Sequence, residues 1–215
     1  MSWLTTIIPT RGELPELPGL VPGGPTPVLF LHGVLASPGN FEGAIRSLLE
    51  QGVPVIAPTY GDRGTGDIHS SFRELEDMLG TEVLSQHDQI DIVGHSLGGR
   101  LGLELAHHFP ARVRTLVGIG AIYRGVPRGS TLGAKLFHTA LGTLGGPAYR
   151  QIMVSTPMSA ALPQHTRVIS LVSDRDSIVP VSSAELGEIR RLKGVRHEHL
   201  PQQTEAILQA LAWRE

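Results

Sequence analysis

The 215-residue chain contains no cysteine, which excludes disulfides, thiolate zinc sites and cysteine nucleophiles. It lacks any stretch approaching the ~18 consecutive apolar residues that a membrane-spanning helix requires. Its first residues, Met1-Ser2-Trp3-Leu4-Thr5-Thr6, show neither a basic n-region nor a continuous apolar segment. The expectation is therefore a soluble protein without a signal peptide, cytoplasmic by default. An excess of charge is missing as well: 18 basic against 20 acidic residues leave a formal net charge of −2. That is not the basic footprint of a nucleic-acid binder, and the arginines form no run that would read as a polyanion or membrane patch. The ten histidines include no His-x-x-x-His pair, so no metal and no other cofactor is expected.

What remains is an ordinary globular composition, 40% apolar and 18% charged, of a length that fits one domain. Residues 1–27 read as a Pro-rich N-terminal arm, since Pro9, Pro15, Pro18, Pro22, Pro25 and Pro27 forbid a helix or central strand. From residue 28 short apolar runs alternate with amphipathic stretches. Val28-Leu29-Phe30-Leu31 suits a strand buried on both faces. Further strands are expected over 53–57, 90–93, 113–119, 168–172 and 195–200, with helices over 41–50, 69–86, 97–109, 181–192 and 203–213. This βα alternation predicts an α/β fold, an open, mostly parallel sheet of about six strands with helices on both faces, over a single domain at 28–215. Residues 121–165 interrupt the rhythm. They carry Leu132, Leu136 and Phe137 on one helical face, readable as a crossover helix or as a small lid whose apolar side contacts substrate.

The chemistry is concentrated in Gly94-His95-Ser96-Leu97-Gly98-Gly99, a G-x-S-x-G pattern between an expected strand and an expected helix. A serine held on so tight a turn is exposed at the top of the sheet. The flanking glycines keep neighbouring chain clear of it, and the helix N-terminus beyond aims free N–H groups at a developing oxyanion. With these residues the sequence resembles the α/β-hydrolase family, in particular its small lipases and esterases, over nearly all of residues 28–213. The resemblance implies a minimal α/β-hydrolase fold with Ser96 as nucleophile. It extends to His32-Gly33-Val34 at the end of the first strand, and implies an oxyanion hole made of the backbone N–H groups of Val34 and Leu97. His32 and His95 read as structural hydrogen-bonding residues rather than acids or bases.

The family's acid stands at the C-terminal edge of a late strand. Asp176, ahead of Ile178-Val179-Pro180, matches that position better than Asp174, which reads as a turn former. The base is less plainly marked, because the family's Gly- and His-containing loop after the last strand is absent and no histidine follows Pro201. His199 is the nearest candidate and His197 lies one pleat earlier; a chain with no functional base stays open. The implied function is a serine hydrolase cleaving small-molecule acyl esters through an acyl-enzyme on Ser96, with Asp176 and His199 completing the catalytic set. Two alternatives share the fold: a non-catalytic binding protein lacking the base, and an acyltransferase using the same nucleophile.

Overall fold

In the computed structural model, which describes residues 11–127 and 145–212, the apolar runs become strands. Among the described residues these are β1 (Val28–Leu31), β2 (Val55–Ile56), β3 (Ile90–His95), β4 (Val113–Ile119), β5 (Val126–Pro127), β6 (Met153–Val154), β7 (Arg167–Ser173) and β8 (Glu188–Leu192). Six of them form a parallel sheet in the order β2-β1-β3-β4-β7-β8, and β5 pairs with β6 apart from it. The connecting helices are α1 (Glu42–Glu50), α2 (Ile68–Met78), α3 (Leu97–His108), α4 (Gly146–Ile152), α5 (Val181–Ala184) and α6 (Thr204–Leu211).

Strand side chains alternate between faces, so β1 divides between two cores. Leu29 and Leu31 join Ile90, Ile92, Leu101 and Leu116 on the face covered by α2 and α3. Val28 and Phe30 join Val93, Val117 and Ile169 on the face covered by α1 and α6. A central strand covered on both sides must be apolar throughout, and all four residues of β1 are buried. The exception, Asp91 on β3, is buried and takes a two-pronged ion pair from Arg114 on the neighbouring strand. Helix α2 begins at Asp67, whose carboxylate accepts the Ser70 N–H at 2.9 Å and the Gln151 amide of α4 at 2.7 Å. One side chain thus caps a helix and ties down the segment before β6. Residues 11–27 run without regular structure, and Leu17 and Leu20 pack against the two cores.

The last third of the chain departs from the sequence reading. The helix expected over 181–192 is only the four-residue α5 followed by strand β8. Gly187 at φ +68° stops helical continuation, and Glu188–Leu192 pairs with β7 as the sheet's edge. Leu186, Ile189 and Leu192 are three apart, which imitates a helical stripe, while the charged residues between them belong to an exposed edge strand. The strand expected over 195–200 is instead a 3-10 helix, His197–Gln202. The expected helix 69–86 likewise ends at Met78, with a π-helical turn at Leu79–Val83.

Candidate active site

The chain runs from β1 outward to β2, then crosses back to β3 on the other side. Between β1 and β3 the strand order therefore reverses, and in open parallel sheets the crevice at such a switch point, beyond the carboxyl ends of the strands, is where ligands sit. The residues placed at those ends are Gly33 and Val34 after β1, Ser96 after β3, Gly120 after β4 and Asp176 after β7.

Ser96 has φ 54° and ψ −116°, a conformation that a non-glycine residue keeps only where its surroundings over-determine it. Its N–H donates to the Ile119 carbonyl at 3.0 Å, and its own carbonyl accepts from Gly99 at 3.1 Å and Ile122 at 3.2 Å. The turn is too tight for side chains on either flank. A Cβ on Gly98 would strike the Leu31 carbonyl, and one on Gly94 would lie 2.5 Å from the Gly98 oxygen. Ser96 thus stands at the N-terminus of α3. Among the described residues neither the Leu97 N–H nor the Val34 N–H donates to a protein acceptor, which leaves both for a ligand.

Asp176 Oδ1 accepts the N–H groups of Ile178 and Val179 at 2.9 and 2.8 Å. Its Oδ2 accepts His197 Nδ1–H at 2.7 Å, with side-chain exposures of 11% for the histidine and 3% for the aspartate. A buried pair of this kind fixes the ring's orientation and tautomer, so that Nε2 is the basic nitrogen. His199, ranked first on the sequence, lies elsewhere: its ring donates to Gln202 Oε1, accepts from Arg196 and is 38% exposed. The reason is the period. In a strand, 197 and 199 share a face; in a 3-10 helix with three residues per turn, 197 and 200 do. His197 and Leu200 accordingly point inward and His199 outward. Asp174, read as a turn former, accepts the Gly194 N–H at 2.7 Å, a bond that joins the loops after β7 and β8.

Two further histidines are buried beside this pair. His95 donates from Nε2 to the His197 carbonyl at 3.1 Å, and the two rings stand 4.6 Å apart. His32 donates from Nδ1 to the Gly33 carbonyl at 2.9 Å and stacks on Tyr60 at 4.4 Å. The second nitrogen of each ring is buried without a partner. Desolvation dominates both: His32 is lowered to about 4, and His95 falls well below the usual histidine range. Both are neutral where the protein is folded near neutral pH, as suits structural donors.

Ser96, His95 and His197 line a cavity of about 370 Å³ whose apolar wall is Val34, Leu35, Tyr149, Ile152 and Ile178. Arg11, Asn40 and Glu198 make its polar rim. Tyr149 and Ile152 come from α4, one turn apart, a helical spacing too short to stand out in the sequence. Leu132, Leu136 and Phe137, expected as the substrate wall, lie outside the described residues. Among the described residues no cluster of three acidic or histidine side chains is arranged to hold a metal. Gly120, at φ +49°, packs against the Asp176–His197 pair: a Cβ there would lie 3.0 Å from Asp176 Oδ2, 3.3 Å from His197 Nδ1 and 2.7 Å from Leu200. Gly120→Ala is therefore expected to cost roughly 2 kcal/mol of stability, which urea melts on the variant check.

Comparison with known proteins agrees with this architecture. Residues 28–212 match the model of the alpha/beta hydrolase family. A 2-hydroxymuconate semialdehyde hydrolase of Pseudomonas putida is 38% identical over 102 residues, covering 45% of this chain and 36% of that protein. The match spans little more than a third of the length of the curated relatives found. Among solved structures, a monoacylglycerol lipase of Paleococcus ferrophilus superposes with a TM-score of 0.58 at 20% identity, over 91% of this chain and 96% of that one. A carboxylesterase structure from Nitrososphaera gargenis gives 0.61 at 14% identity, over 91% of each chain. Identities this low speak for the fold alone. The family match over residues 28–212 and the reversed strand order with a serine at its crevice lead to one conclusion: the chain belongs to the alpha/beta hydrolase family.

Proposed function

We propose that the protein is a serine hydrolase of small carboxylic esters, with Ser96 as nucleophile, His197 as base and Asp176 as the carboxylate that orients it. The observation that carries this reading is the buried Asp176–His197 pair, with its histidine on the same cavity as the strained Ser96. A binding protein without a base has no need of such a pair.

In the proposed reaction Ser96 Oγ bonds to the ester carbonyl carbon while its proton passes to His197 Nε2. Negative charge gathers on the carbonyl oxygen, where the Val34 and Leu97 N–H groups meet it. The C–O bond to the alcohol then breaks and the alcohol leaves with the proton from His197. Water, deprotonated by the same nitrogen, attacks the acyl-enzyme; the carboxylic acid departs and Ser96 regains its proton. A cavity of about 370 Å³ with an apolar wall favours a short or medium acyl ester.

Intact-mass analysis after incubation with a fluorophosphonate tests the assignment. The expected result is a single phosphonyl adduct on the wild type that is absent from Ser96→Ala. A well-folded wild type that forms no adduct, or an adduct that survives Ser96→Ala, would overturn it.

A further inference from the structure

The loop carrying Val34 is held from one side by a turn with an unusual backbone. Gly61, Asp62, Arg63 and Gly64 all have positive φ, at 54°, 49°, 61° and 73°. Two of these four residues are not glycine, and a left-handed conformation is unfavourable for residues with a Cβ. The turn is kept by hydrogen bonds from Gly64 N–H to the Tyr60 carbonyl at 2.9 Å and from Gly66 N–H to Gly61 at 2.8 Å. The Thr65 hydroxyl adds a bond to the Asp62 carbonyl at 2.8 Å. Backbone strain maintained in this way, with Gly64 packed on Gly33 and Val34, calls for a functional reason.

The contacts of the turn supply one. Arg63 Nη2 donates to the Leu35 carbonyl at 3.0 Å, and its Nε donates to the Ala36 carbonyl at 3.4 Å. The Tyr60 hydroxyl donates to the His32 carbonyl, and His32 Nδ1 donates to Gly33. Four carbonyls of the 32–36 segment are thus engaged, on both sides of Val34, whose N–H donates to no acceptor among the described residues. Leu35 itself is held at φ 56°, so the loop depends on outside contacts for its shape. A planar guanidinium reaches two successive carbonyls from one side chain, which an ammonium does not do in this geometry.

We infer that Arg63 is the positioning residue of the oxyanion hole: by tying the Leu35 and Ala36 carbonyls it aims the Val34 N–H at the reacting carbonyl oxygen. The inference rests on the serine-hydrolase reading above. Arg63 lines no part of the cavity and touches no reacting atom; it acts through the loop. An oxyanion donor acts on the transition state and little on the bound ester. Loss of Arg63 therefore appears in kcat rather than KM.

The test uses Arg63→Ala and Arg63→Lys beside the wild type, with a fluorophosphonate and a p-nitrophenyl ester, well below each variant's melting temperature. Arg63→Ala is expected to slow both phosphonylation of Ser96 and kcat by about 10- to 100-fold with KM within about threefold, and millimolar methylguanidinium is expected to restore part of the rate. Arg63→Lys, which keeps charge but not the fork, falls between. Wild-type labelling rates in both variants, a change confined to KM, or a loss that merely follows the folded fraction and is unmoved by methylguanidinium would overturn the inference while leaving Ser96 as nucleophile. Should Arg63→Ala not fold, the kcat and KM of Arg63→Lys decide alone. A wild type that takes up no fluorophosphonate removes the hydrolase reading and this inference with it.

Discussion

Replacing His197 by Ala is expected to lower ester turnover by about 10⁴-fold or more, while His199→Ala leaves it within about twofold. The contrast follows from geometry, because of the two histidines it is His197 that donates to Asp176, at 2.7 Å. The ring of His199 is spent on Gln202 and Arg196 at the surface. Asp176→Asn belongs to the same experiment. The amide no longer accepts from Nδ1–H as a carboxylate does, so the wrong tautomer is favoured, and a loss on the order of 10³- to 10⁴-fold is expected. Losses of this kind do not add: His197→Ala combined with Asp176→Asn is expected to be scarcely worse than His197→Ala alone. Active-site titration with the fluorophosphonate, run beside steady-state kinetics, separates loss of chemistry from loss of folded protein. If His199→Ala proves the crippling substitution, or if both single variants stay active, the assignment of the base fails.

That the two histidines were ranked in the other order on the sequence has a specific cause. Period-2 reasoning over Val195–Leu200 gives a strand, and a strand offers both rings to one side. The segment instead makes a 3-10 turn, with Pro201 unable to donate a ladder hydrogen bond. Where a short segment contains few apolar residues, two periods fit it equally, and tertiary packing of Leu200 into the core decides. The parts legible beforehand are those whose local chemistry has a single solution. β1 is an unbroken apolar run because both its faces are covered. The turn at Ser96 needs glycine at 94 and 98 because backbone approaches from both sides. Arg63 was invisible for the opposite reason. Gly61-Asp62-Arg63-Gly64 reads as any surface turn, and what singles out Arg63 is a pair of carbonyls 28 and 27 positions earlier. Edge strand β8 was misread because its inward residues happen to be spaced as on a helix.

The protein is also expected to lose stability steeply in acid, over a window set by His32 and His95. Each is buried with one ring nitrogen donating to a backbone carbonyl and the other without a partner. Protonation would place a charge, and an N–H lacking an acceptor, in a desolvated site. The folded-state pKa values are therefore depressed, His32 to about 4 and His95 well below its ordinary value of 6.5. Above pH 6.5 both rings are neutral in folded and unfolded chains alike, and their neutrality costs nothing. Below it the unfolded chain binds protons that the folded one refuses, so unfolding becomes more favourable as pH falls. Each histidine contributes a slope of up to about 1.4 kcal/mol per pH unit, and His32 alone removes roughly 3 kcal/mol by pH 4. Against a total of about 5–15 kcal/mol for a typical domain, the His32 share alone is a large fraction. Urea midpoints measured at pH 7.5, 6.0 and 5.0 check the slope. His32→Asn and His95→Gln keep a donor near the original nitrogen but cannot titrate, so each is expected to flatten the acid limb by about half, whatever it costs at pH 7.5. A wild type equally stable at pH 7.5 and 5.0, or variants that retain the full slope, would show that the acid sensitivity lies elsewhere. Because the His95 ring donates to the carbonyl of His197, its forced protonation would also disturb the base, and hydrolysis is expected to fade in acid before the secondary structure melts.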